Sequence, residues 1–212
     1  MDKSWGNHYK KVEQKNLLPS ATLEIAMDLF DKEKTDFKTA CDLGFGNGID
    51  TIALIKNGWQ VTAIDNQTQA IEKLKSTISE KDKTKLTLIN ENFETIKLPN
   101  VLLVNASFSL PFCKPEKFDA LWQKIVESIL PNGRFAGHFF GVNDSWASDP
   151  EKTFHTKEQI LNLFKYFDLE YFEEVNSPVW RQKYAQINAR HRTDTLTYYR
   201  RNQNTRAHRQ KM

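Results

Sequence analysis

Ala40-Cys41-Asp42-Leu43-Gly44-Phe45-Gly46-Asn47-Gly48-Ile49-Asp50 is the stretch on which the fold turns. An apolar approach with an embedded acid runs into three glycines at alternate positions, and a helix-like pattern follows. Glycine has no side chain to hold a ligand away, so such a turn lets a backbone come very close to one. Seventeen residues after Gly48, a second apolar run, Val61-Thr62-Ala63-Ile64, ends on Asp65. A glycine turn after one strand and an acid at the tip of the next is how doubly wound folds hold a nucleoside and its ribose.

The glycine spacing narrows the nucleoside. Dinucleotide sites use G-x-G-x-x-G, with the pyrophosphate at the helix N-terminus. Here Ile49 stands where the third glycine of that pattern belongs, and Asp42 lies two residues before Gly44. A carboxylate there repels a pyrophosphate and suits a cationic amine or sulfonium. S-adenosylmethionine carries a ribose, an α-amino group and no phosphate. On these residues the chain resembles the class I S-adenosylmethionine-dependent methyltransferases, over roughly residues 19 to 175. Among them it is most similar to small-molecule enzymes of the tellurite-resistance type.

The resemblance implies a set of cofactor contacts. Gly44, Gly46 and Gly48 would line the methionine and ribose moieties, with Asp42 facing the α-amino end. Asp65, followed by Asn66, would accept hydrogen bonds from the ribose hydroxyls; a plain helix-capping role for Asp65 stays open beside it. Asn92 and Phe93 match positions that meet the adenine, and an ordinary polar loop with a buried phenylalanine is the alternative. Asn105, at the end of the fourth strand, would border the methionine part or act as a simple turn residue. The acid-or-Asn, Pro, Pro, aromatic tetrapeptide of nucleic-acid N-methyltransferases is not present there, since five residues separate Asn105 from Pro111.

Methyl transfer asks mainly for positioning, because the cofactor carries the activated group. No catalytic acid or base is therefore assigned. Gly141 to Trp146 would overhang the pocket as a lid. His138 reads as a core residue within a strand and His155 as an exposed one before a helix. No cluster has metal-ligand spacing.

Two hundred and twelve residues suffice for one sizeable α/β domain. No apolar run approaches the roughly 20 residues of a membrane span, and the start lacks the apolar core of a secretory signal. A cytoplasmic location is expected. Cys41 and Cys113 are expected to be reduced and buried. The net charge of +3 is uneven. From Val175 onward nine Lys or Arg face one acid, Asp194, which leaves the preceding part at −5. An acidic main domain argues against a nucleic-acid groove there.

The pattern along the chain predicts an α/β fold with a doubly wound, largely parallel seven-stranded sheet and an antiparallel last strand. Helices are expected over 21–30, 47–57, 66–80, 118–130 and 156–166, with Ser20 and Thr156 available as caps. Strands are expected up to Leu43, from Gln60, and over 86–89, 101–104, 134–140 and 169–175, with Pro131-Asn132-Gly133 as a turn. Thr195 to Tyr199 is the candidate for the seventh strand, at the sheet edge. The division expected is an N-terminal segment 1–18 covering the active site, a methyltransferase core 19–178 and a basic segment 179–212. That last part is an edge strand with a tail, an extended appendage, or an end altered by a frameshift.

The function expected is transfer of a methyl group from S-adenosylmethionine to a small molecule, leaving S-adenosylhomocysteine. The rivals are a nucleic-acid methyltransferase gripping phosphate with its basic tail, a nicotinamide-dependent oxidoreductase, and a catalytically silent nucleoside-binding protein. No membrane partner is expected, and the sequence leaves the oligomeric state open.

Overall fold

The computed structural model describes residues 18–177 and 182–192. Seven strands form one sheet: β1 (Thr39–Leu43), β2 (Gln60–Asp65), β3 (Leu86–Asn90), β4 (Val101–Ala106), β5 (Ile129–Phe140), β6 (Phe167–Ser177) and β7 (Gln182–His191). Their order is β3-β2-β1-β4-β5-β7-β6. The first five run parallel, and β7 pairs antiparallel with both β5 and β6. The doubly wound expectation holds.

Helices cover both faces, each through its own apolar stripe. On one side lie α1 (Ala21–Lys32), α2 (Ile49–Lys56) and α3 (Thr68–Thr77), followed by the short α4 (Glu80–Lys83). Leu23 and Phe30 of α1, Leu54 and Ile55 of α2, and Ile71 and Leu74 of α3 pack there on Ala40, Val61, Ala63, Leu103 and Ala136. On the other side α5 (Pro115–Ser128) and α6 (Lys157–Leu163) bring Phe118, Trp122, Ile125 and Phe164 against Val104, Phe135, Phe139, Ile187 and Ala189. The Trp122 ring meets Phe135, Phe139 and Phe164 edge-on, an arrangement favoured by aromatic quadrupoles. Thr156 caps α6 in a reciprocal capping box with Gln159.

Three expectations need correction. Pro131-Asn132-Gly133 does not separate a helix from a strand. It lies inside β5 as a bulge, where Val101 pairs with Ile129 but Leu103 pairs with Arg134, and Asn132 takes a left-handed φ of 63°. Among the described residues the seventh strand is Gln182–His191, within a stretch not expected to be a strand; 195–199, the stretch expected to supply it, lies outside the described residues. Gln182–His191 also runs inside the sheet between β5 and β6, leaving β6 at the edge. The sheet therefore extends past residue 178, the boundary expected for the core. Its polar composition hides a clean alternation: Ala185, Ile187 and Ala189 enter one core while Tyr184, Gln186, Asn188 and Arg190 lie on the face toward α1. Asn188 is buried and donates to the Thr22 carbonyl at 2.8 Å.

Arg134 ties this side together. Its guanidinium, fully buried, bonds Glu33 after α1 and Glu170 of β6, and lies 4.5 Å over the Phe30 ring. Cys41 and Cys113 are free and buried, as expected. Among the described residues no helix is long and apolar enough to cross a membrane. Most of the expected N-terminal segment 1–18, and the basic residues beyond Arg192, lie outside the described part.

Candidate active site

Gly44, Gly46 and Gly48 all take left-handed backbone angles, φ 73°, 54° and 77°, which only glycine adopts without strain. The chain thereby folds back from β1 into α2 within five residues. Two of the glycines serve the protein's own packing. A Cβ on Gly44 would lie 2.4 Å from Ser109 Cβ, and one on Gly48 would lie 2.9 Å from Leu74 Cδ1. Ser109 Oγ in turn donates to the Leu43 carbonyl at 2.5 Å. The absent side chains thus admit a serine and a leucine, which is a different use from the ligand approach expected.

Asp65, at the carboxyl end of β2, reaches across to this turn. Its Oδ2 accepts the Gly46 N–H at 2.9 Å and its Oδ1 the Gln67 N–H at 2.8 Å. The second bond closes a local turn ahead of α3, whose N-cap is Gln67 rather than Asp65, so the plain helix-capping role is not the one Asp65 takes. Each oxygen keeps a further lone pair. Burial raises the Asp65 carboxyl above its ordinary value, and the backbone N–H groups of Gln67, Gly46 and Asn66 oppose that rise.

Beneath the turn sits an acidic cluster. Asp42 is buried and accepts Thr51 Oγ1 at 2.5 Å and Asn105 Nδ2 at 2.9 Å. The same Asn105 nitrogen donates to Asp50 Oδ2 at 3.0 Å. Asp50 also accepts the Ser20 N–H and Ser20 Oγ, each at 2.8 Å. Burial, and then the neighbouring Asp50, push the Asp42 carboxyl well above the usual carboxylate range. Ser20 occupies the N-cap position of α1 without a capping side-chain bond, its hydroxyl being turned to donate to Asp50.

These groups border one cavity of about 770 Å³ at the carboxyl ends of the parallel strands. Asp42, Gly44, Gly46, Asp65, Asn66, Asn92 and Phe93 of the sequence-derived set line it. Asn66 Nδ2 donates to Asn92 Oδ1 at 3.1 Å, joining the loops after β2 and β3. Two members of the set do not line it. Gly48 turns toward Leu74, and Asn105 lies fully buried behind Asp42 and Asp50.

The far wall comes from the loop after β4, with Ser107, Phe108, Ser109 and Phe112, and from the rim pairs Lys114–Glu151 (2.7 Å) and Lys152–Asp149. None of residues 141–146, expected as a lid, lines the cavity. Glu151 and Lys152 reach the cavity, whereas Trp146 packs edge-on against Phe112 and Phe140. Asp144 pins this loop by accepting the N–H groups of Trp146 and Lys183, both at 2.8 Å. His155 is half-buried against Phe118 and Phe139 rather than exposed, and burial lowers its pKa to about 4. Among the described residues no group of His, Cys, Asp or Glu could hold a metal ion.

Sequence reasoning misses Asp50, Phe108 and the role of Ser20. Asp50 carries a usable signal, being an acid in the first turn of a helix that starts at a glycine bend. Ser20 offers only a helix cap to a reader of the pattern, and nothing around Phe108 marks its backbone.

Residues 40–133 match the family described as a methyltransferase domain. Carboxy-S-adenosyl-L-methionine synthase from Shewanella piezotolerans is 29% identical over 111 residues, 50% of this chain and 46% of that one. The chain thus matches about half the length of such curated relatives. Among solved structures, Burkholderia thailandensis 1,6-didemethyltoxoflavin-N1-methyltransferase, with bound 1,6-didemethyltoxoflavin and S-adenosylhomocysteine, superposes with a TM-score of 0.64. That likeness covers 89% of this chain and 84% of the other at 17% identity. TehB from Haemophilus influenzae gives a TM-score of 0.69 at 14% identity, over 89% and 68%. At such identities the superpositions show the fold alone.

Proposed function

We propose that this chain, whose residues 40–133 match a family described as a methyltransferase domain, methylates a small-molecule acceptor with S-adenosylmethionine as its cofactor. The observation that carries the reading is the pair of carboxylates, Asp42 and Asp50, joined through one amide nitrogen beneath the glycine turn. A cationic amine is what such a pair favours, and a diphosphate is what it opposes.

The cofactor supplies an activated methyl group on a sulfonium; the chain's residues bind and orient. Asp65 would take the ribose hydroxyls, its carboxylate held in place by the Gly46 and Gln67 N–H groups. Asp42 and Asp50 would hold the α-amino end. Asn92 and Phe93 would meet the adenine. Ser107, Phe108 and Phe112 form the wall on the β4 side, where the acceptor would enter. The aromatic rings there exclude water from the nucleophile, which sharpens the electrostatics of the site.

The name of the curated relatives raises a second product, a carboxylated cofactor. A carboxylate-bearing co-substrate would need a cation in the cavity. The two lysines that line it, Lys114 and Lys152, are each paired with an acid at the rim. This favours methylation of a separate acceptor. Mass spectrometry of cofactor incubated with candidate carboxylate donors would reverse that preference if a carboxylated cofactor appeared.

Calorimetry tests the cofactor reading directly. S-adenosylhomocysteine should bind with micromolar affinity and NADH should not. Asp65→Ala should weaken the former more than tenfold, about 1.4 kcal/mol. Absence of heat with S-adenosylmethionine and S-adenosylhomocysteine alike would end the proposal.

A further inference from the structure

Three buried polar atoms on one face of the sheet have no hydrogen-bond partner among the described residues: Asn105 Oδ1, Asn188 Oδ1 and His138 Nδ1. Strand register makes them neighbours. Asn105 of β4 and Asn188 of β7 both pair with Ala136 of β5, and His138 follows Ala136 by two residues on the same face. Ala136 offers only a methyl group between the two amides. The opposite end of each amide is engaged, Asn105 Nδ2 with Asp42 and Asp50 and Asn188 Nδ2 with the Thr22 carbonyl. The unused atom is the acceptor oxygen in both cases. Both asparagines are fully buried and His138 is 2% exposed. Leaving a buried polar group unpartnered forfeits its hydration with nothing in return, so three side by side point to something they receive.

The row meets the cavity wall at two places, Asn105 behind Asp42 and Asp50 and His138 behind the ring of Phe108. Phe108, part of the cavity wall, stacks on His138 with centroids 3.8 Å apart and planes 13° from parallel, and Tyr184 meets its edge at 4.9 Å. The Phe108 backbone is left-handed at φ 54°, a strained conformation for a phenylalanine. Aromatic contacts hold it there. A flat molecule taking the place of that ring would keep the imidazole face covered and release the strained backbone.

We propose that Asn105, His138 and Asn188 form the recognition surface for the methyl acceptor, a flat nitrogen compound bearing N–H donors, admitted when Phe108 turns off His138. Naming this ligand as the acceptor rests on the methyltransferase reading above. The donor requirement follows from the two amide oxygens, which only accept. An amino group brings two donors on one atom, where a hydroxyl brings one. Asp42 and Asp50, on the other side of Asn105, disfavour an anion. Flatness follows from the stacked ring that the ligand replaces.

The test compares 2-aminopyridine with 2-methoxypyridine, a donor-free analogue of similar shape, by saturation-transfer NMR on the full chain with and without S-adenosylhomocysteine. The aminopyridine should bind at least tenfold more tightly. His138→Phe, which keeps the ring stack and deletes Nδ1, should cut that preference at least threefold, and so should Asn188→Leu. If the Asn188 variant does not fold, His138→Phe decides. Phe108→Ala should strengthen aminopyridine binding threefold or more. Equal binding of the two probes, or an undiminished preference in the folded variants, overturns the proposal. Loss of S-adenosylhomocysteine binding with the amine preference intact would remove the cofactor reading and leave this surface standing as an amine site.

Discussion

Asn105 donates one amide nitrogen to two acids at once, Asp42 at 2.9 Å and Asp50 at 3.0 Å. Asp42 is therefore a buried acid facing a second carboxylate across a single neutral bridge. Burial and Asp50 push its pKa up to about 7. In the unfolded chain it has the ordinary carboxylate value, near 4. A raised native pKa means that the folded chain holds the proton more strongly. The stabilisation is complete below pH 4 and is lost as pH climbs through about 7, at most about 1.4 kcal/mol per pH unit. Urea denaturation at pH 5 and pH 8 should show the wild type weaker at pH 8 from this source, and Asp42→Asn should flatten the difference. Binding of S-adenosylhomocysteine should follow the opposite course. It should tighten from pH 6 to pH 8 as Asp42 becomes charged, with the trend lost in Asp42→Asn.

Glycine substitutions separate backbone strain from crowding. Gly44 and Gly58 share a left-handed φ, 73° and 85°, but only Gly44 is crowded: a methyl group there would meet Ser109 Cβ at 2.4 Å, whereas one on Gly58 would find nothing within 4 Å. Gly58→Ala should cost about 1–2 kcal/mol for the conformation alone. Gly44→Ala should cost roughly 2 kcal/mol more, since the serine beside it is held by its bond to Leu43. Thermal melts of the two variants check the ranking; equal shifts would refute the crowding account.

Breaking the ion cluster at Arg134 should be among the most damaging single changes away from the cavity. Its side chain is 1% exposed, while Glu33 and Glu170 retain 35% and 20%. Arg134→Met should cost about 3 kcal/mol, because two partly buried carboxylates lose their counter-ion. Adding Glu33→Gln and Glu170→Gln should restore at least half of that loss in chemical denaturation. No recovery in the triple variant would mean that packing against Phe30, rather than charge, is what Arg134 supplies.

The alternation of glycine turn, acid tip and apolar runs makes the parallel half of the sheet readable, since β1 and β2 carry local signals that no tertiary contact has to correct. Asp42, Asp65, Asn92 and Phe93 are legible for the same reason: each sits within a few residues of a strand end. Asp50 and Ser20 are not, because their meeting depends on the N-terminal ends of α1 and α2 coming together, a contact spanning 30 residues. The strand β7 escapes because its α1-facing positions are Tyr, Gln, Asn and Arg, polar types that resemble a solvated loop until Asn188 finds Thr22 and Arg190 finds Glu33 at 3.2 Å. The bulge at Asn132 escapes because Pro-Asn-Gly marks a reversal equally well outside a strand.

The interior place of β7 also orders the birth of the sheet. Among the described residues β6 has β7 as its sole neighbour in the sheet, so a β6 that leaves the ribosome ahead of β7 finds none of these strands to join. It waits until residue 191 has followed, while the flank of β5 stands open beside it. A chaperone that shields β5, or a stop codon placed before residue 182, would therefore act on two strands at once.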